Sequence, residues 1–134
     1  MKKLQFVLII AVFLISSNLF AQGTFSKWPA IKTFHAVMSQ TFHPAEDGNL
    51  EPIKNRSAEM VQKADDLSKS EIPTEFNNNK VLAAIQNLQI KSKALDTMIQ
   101  EKATDEAITK FLSEIHDVFH EIVGLCANHE DGPK

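Results

Sequence analysis

The chain has 134 residues, of which 43% are apolar, 23% charged and 7% aromatic, with 4 Gly and 5 Pro. That composition fits one compact domain and excludes a collagenous, disordered or multi-domain chain. There are 14 Lys and Arg against 17 Asp and Glu, a net charge of −3; without Lys2 and Lys3, which lie in a leader expected to be removed, 12 against 17 leave −5. A surface of that sign argues against nucleic acid as a partner. The single cysteine, Cys126, excludes an internal disulfide, a haem attached through two thiols and a four-thiolate metal site.

Met1-Lys2-Lys3 precedes an apolar run from Phe6 to Ile15 and then Ser16-Ser17-Asn18-Leu19-Phe20-Ala21, the layout of a bacterial secretory signal peptide. Cleavage is expected after Ala21, leaving residues 22–134 as the mature domain in the periplasm or secreted. The apolar run is short for a bilayer span, so membrane contact is expected only through a leader left uncut.

Beyond the leader, four stretches have helical period, separated by Pro and Gly. The first runs from about Lys27 to His43 and is expected to end before Pro44, with His43 capping it. The second runs from Asn49, read as its N-cap, with Pro52 in the first turn, to about Ser68. After Ile72-Pro73 the third covers about Asn78 to Glu101. The fourth starts at Thr104, with Asp105 and Glu106 where acidic groups meet the helix dipole favourably. No alternating run of β-branched residues remains, so the fold class is all-α. Short connections predict an up-down-up-down antiparallel four-helix bundle.

Each stretch carries a seam with four-and-three spacing: Ile31, His35, Met38 and Phe42; Ile53, Ser57, Met60, Ala64 and Leu67; Val81, Ile85, Leu88, Ser92, Leu95 and Ile99; Ile108, Leu112, Ile115, Phe119, Ile122 and Cys126. Only His35, Ser57 and Ser92 are polar. With turns centred near residues 46, 73 and 103, position 35 should face about 58, then about 89, then about 117, so the polar positions share one level within about one helical turn. His116 and His120 lie at that level, four apart on the flank of their helix, where two imidazoles can grip one ion. A buried polar layer costs about 1–3 kcal/mol per unsatisfied group, so a ligand is expected there. The candidate metal donors are His35, Met38, His116 and His120, a set suited to copper or zinc. Cys126 is read as a small core residue and His129 as a solvated one.

The run Leu112-Ser113-Glu114-Ile115-His116-Asp117-Val118-Phe119-His120 resembles the C-terminal haem motif of the cytochrome c′ family, with Leu112 and Ile115 where the family has cysteines. Phe34-His35-Ala36-Val37-Met38 resembles the family's aromatic helix 1 motif, and Ile72-Pro73-Thr74-Glu75-Phe76 its link between helices 2 and 3. The resemblance implies a periplasmic four-helix bundle, with iron held by the residue matching His116 and faced by the one matching Met38. Without the two thiols haem could be held only non-covalently, by Met38 and His116. Where the family has an Arg after the motif this chain has His120, and His35 adds a further imidazole. These departures favour an ion over haem.

The expected function is therefore carriage, buffering or sensing of copper or zinc by an exported bundle that is not an enzyme and is compatible with a homodimer. The alternatives are a non-covalent haem protein for electron transfer or gas binding, and a bundle without cofactor that serves as a structural or interaction module.

Overall fold

The computed structural model describes residues 23–130, the side chains through residue 128; the leader, its cleavage point and the His129 side chain lie outside the described residues. A helical turn over residues 23–27 leads into α1 (Pro29–Glu46). There follow α2 (Glu51–Lys69), a 3₁₀ turn (Thr74–Phe76), α3 (Asn79–Gln100) and α4 (Asp105–Glu130). The described residues are all helix and connection, without a strand. None of the described helices is long and apolar enough to cross a membrane.

The ends of these helices follow from local chemistry. Pro29 starts α1, where its missing N–H costs nothing. The expected stop before Pro44 is corrected: α1 continues one turn further, with Pro44 inside it. Helix α1 closes in a Schellman motif, with Asn49 N–H donating to Pro44 O at 2.9 Å and Gly48 N–H to Ala45 O at 3.0 Å. Gly48 adopts φ +86°, as that motif requires. The N-cap of α2 is Leu50 rather than Asn49, whose Oδ1 instead accepts the Glu51 N–H at 3.2 Å. Asn78 caps α3, its Oδ1 accepting from Lys80 and Val81 N–H. Thr104 Oγ1 does the same for Ala107 at the start of α4.

Each long helix packs on the next, and α1 also packs on α4. All four contribute to a single apolar core, whose largest fully buried side chains include Trp28, Phe34, Phe76 and Phe119. Trp28 stands 6.4 Å from Phe76, ring centre to ring centre, and donates its indole N–H to Ser70 Oγ at 2.9 Å. These two rings plug the end of the molecule where α1 begins and the link between α2 and α3 passes. The seams of α2 and α4 are buried at every predicted position. On α1 the buried stripe is Ile31, Phe34, Val37, Met38, Thr41, Phe42 and Ala45. Phe34 takes the inward place beside His35, and the imidazole is left half-buried on the flank.

The polar layer also differs from expectation. Ser57 faces Asp96, not residue 89, and donates to its Oδ1 at 2.6 Å. Gln89 instead donates to Asp65 Oδ1 at 2.8 Å. The whole α2–α3 pairing is offset because the connection runs from Ser70 to Asn78, around a 3₁₀ turn that delays the start of α3. Ser92 donates to Leu88 O at 2.7 Å, the back-bond common for serine inside a helix. No buried side-chain N or O among the described residues lacks a partner, so these serines are satisfied by the protein itself and require no ligand.

Helix α3 ends in a second Schellman motif, with Ala103 N–H donating to Met98 O and Lys102 N–H to Ile99 O, and here the left-handed position holds Lys102 at φ +58°. The two helix ends therefore respond oppositely to substitution. Gly48→Ala, whose new Cβ would meet nothing within 4 Å, is expected to destabilise by about 1–2 kcal/mol through backbone conformation alone. Lys102→Gly is expected to stabilise by about 0.5–1 kcal/mol. Urea unfolding of the two variants checks both signs.

Candidate metal site on the α1–α4 seam

Positions 116 and 120 lie one turn apart on α4, beside the buried stripe of Leu112, Ile115, Phe119 and Ile122. That placement leaves His116 half-buried and His120 exposed. Their Nε2 atoms point at each other across 3.1 Å, with ring centres 4.3 Å apart and planes at 77°. Two nitrogens at that separation, each about 2.0–2.1 Å from a common ion, subtend about 100° at it, near the tetrahedral angle. The spacing of the pair is compatible with both nitrogens reaching one ion. In this contact one ring's Nε2–H donates to the other's lone pair.

The support for this pair comes from α1. Phe42 lies flat on His116, with ring centres 3.9 Å apart and planes 13° from parallel. This contact fixes the plane of the imidazole and covers one of its faces. His35 reaches the same side of the molecule but is held by rings: Phe25 at 5.0 Å and Phe119 at 5.3 Å between centres. Met38 is 1% exposed, inside the core. Of the four residues singled out from the sequence, the structure brings His116 and His120 into donor contact and sets His35 beside them. Met38 is in the apolar interior instead. Among the described residues no three His, Cys, Asp or Glu side chains are already gathered around one point. The expected depth is corrected as well: the imidazoles meet at the rim of the α1–α4 seam, because α1 turns Phe34 and Met38 inward and not His35.

The sequence reading gave His43 as a helix cap and did not pair it with Glu46. His43 Nδ1 lies 3.1 Å from Glu46 Oε2 in the last turn of α1, both exposed. Treating Pro44 as the end of the helix hid this pair; once the helix continues through it, 43 and 46 fall at adjacent-turn spacing. Both are in electrostatic reach of His116.

Burial and neighbouring charge favour the neutral form of His35 and of His116. Burial, then the charge of His120 and of His43, holds His35 below the ordinary value of 6.5. For His116, burial and His120 lower proton affinity, partly opposed by Asp117 and Glu46, with His43 lowering it further; the net direction is down. Neutral imidazole is the metal-binding form, so at neutral pH the His116 ring needs no net loss of a proton to coordinate, although in the His116–His120 contact one Nε2 proton would first have to move to Nδ1.

The haem arrangement fits this geometry poorly. Met38 is sealed in the core, one face of His116 is occupied by Phe42, and His116 Nε2 points at His120. The described features define the class as an all-helical protein with two histidines in contact at a helix–helix seam. Comparison with known proteins adds no relative: no family model matches the chain, and no curated protein or solved structure is significantly similar to it.

The depressed proton affinities predict a pH dependence of stability. Above the ordinary imidazole value both folded and unfolded chains hold His35 and His116 neutral. Below it the unfolded chain takes up protons first, so stability is lost as pH falls towards the lower folded values. Tm is expected to drop between about pH 7.5 and 5. His116→Gln should flatten part of that slope, read by thermal unfolding across the range.

Proposed function

We propose that the protein is an exported, non-enzymatic metal-binding protein that carries, buffers or senses zinc or copper through His116 and His120. In this reading the fold is an up-down-up-down antiparallel four-helix bundle of cytochrome c′ type. The topology is supported by pairs in which one residue number rises as the other falls. These are Ser57 with Asp96 and Asp65 with Gln89 between α2 and α3, and His35 with Phe119 and Phe42 with His116 between α1 and α4. The observation that carries the function is the 3.1 Å separation of the two Nε2 atoms. Imidazole nitrogens suit zinc and copper, and the exposed side of the pair leaves positions open for water or an exchanging ligand. A binding role requires no general base. The domain acts after removal of residues 1–21, in the periplasm or outside the cell.

Zn(II) or Cu(II) added to the purified protein at about 100 times its dissociation constant is expected to stabilise the fold by about 2.7 kcal/mol, by mass action on the native state. His116→Ala and His120→Ala should each remove most of that effect. Calorimetric unfolding with and without metal checks this, and equal stabilisation of wild type and His116→Ala would refute the reading. One observation favours a second reading, a cofactor-free interaction bundle: the polar seam residues Ser57 and Ser92 are fully satisfied by protein groups. On that reading metal leaves the unfolding midpoint unchanged.

A further inference from the structure

Two imidazoles are too few for a firmly held zinc ion, which takes four ligands in structural sites and three protein ligands in catalytic ones. The geometry points to His43 and Glu46, at the end of α1, as the groups that complete the His116/His120 chelate, giving a three-imidazole, one-carboxylate site for a divalent ion of the zinc(II) class. The inference rests on the metal-binding reading of His116 and His120 and adds to it the remaining ligands and the kind of ion.

Position comes first. Phe42 stacks on His116 at 3.9 Å, and His43 follows it in sequence with its ring centre 5.8 Å from that of Phe42. The pair His43 and Glu46 is therefore carried to the same seam by the contact that orients His116. His43 Nδ1 in turn lies 3.1 Å from Glu46 Oε2, so imidazole and carboxylate reach the seam together, and because no three such side chains already surround one point among the described residues, this pair must turn towards the ion. Mobility comes second. The two side chains are 66% and 54% exposed and meet each other in a single 3.1 Å contact. Turning them towards an ion gives up little, whereas His35 is wedged between Phe25 and Phe119 and Met38 is enclosed.

Charge placement is the third argument. A carboxylate in the last turn of a helix opposes the macrodipole, which favours cations there. Glu46 occupies such a position in α1, and its charge is better matched to a bound cation than to the helix. Carboxylate and imidazole donors together suit a borderline divalent ion, while the one thioether near the seam, Met38, is enclosed and gives no preference for copper(I).

The test titrates Zn(II) into the purified full chain against a competing chromophoric chelator, with sedimentation to give the mass of the loaded species. His43→Ala and Glu46→Gln are compared with wild type and with His120→Ala. Both substituted side chains are exposed, so the metal-free unfolding midpoints should stay near that of wild type. The expected result is one zinc per monomer, with affinity lowered at least about tenfold by either His43→Ala or Glu46→Gln. Unchanged affinity in both, with binding lost in His120→Ala, overturns the inference and leaves the two-histidine reading standing. A zinc-dependent doubling of mass also overturns it, since the missing ligands would then come from a second copy. Zinc binding untouched by His120→Ala defeats the reading and the inference together.

Discussion

Phe42 lying flat against the His116 imidazole is the contact on which the site depends. A ring in the core of α1 is pressed to a half-buried ring of α4 at 3.9 Å, and the stack does three things. It packs α1 to α4 where those helices meet. It removes water from one face of His116, which contributes to the lowered proton affinity there. It also restricts the imidazole plane, so that its Nε2 remains aimed at His120. A tilt of His116 would separate the two nitrogens without disturbing the core, so the contact between His116 and His120 depends on tertiary packing as well as on the spacing along α4.

Much of the fold was legible because helical period, caps and breakers act locally. The four stretches, the starts at Asn78 and Thr104 and nearly every seam residue could be read from single segments. What escaped was set by relations between segments or by backbone geometry with a weak residue signature. Pro44 reads as a helix end, yet Pro44-Ala45-Glu46-Asp47-Gly48 supplies a final turn and then the left-handed glycine of a Schellman motif. The α2–α3 register depends on where α3 starts after the 3₁₀ turn, and a symmetric turn centred at residue 73 brings Ser57 opposite the wrong partner. Asp96 was therefore not anticipated as the acceptor that satisfies it.

The candidate site was legible to a similar degree and for the same reason. Two histidines four apart on one helix are a local signal, and they meet. Assigning His35 and Met38 to the same point required the rotation of α1 about its own axis, which four-and-three spacing leaves undetermined by about one position. The choice between His35 and Phe34 for the inward place goes to the larger apolar ring, since burying Phe34 gains apolar area without desolvating a polar group. That rotation moves the imidazoles from the middle of the bundle to its rim.

The rim location bears on what a metal could do for the protein. An ion in the core would be enclosed by Met38, Phe34 and Phe119, all at most 2% exposed, and could leave only when the helices part. An ion on His116 and His120 rests on a core already closed beneath it, with Ser57 and Ser92 satisfied whether or not it is present. Folding therefore does not require the ion, and release need not cost tertiary structure. Such a separation of binding from folding suits a site that must both load and give up its cargo, whereas a site that organises the fold would hold its ion permanently. In the proposed metal-binding reading, falling pH would set protons against metal at His116, whose proton affinity burial already lowers.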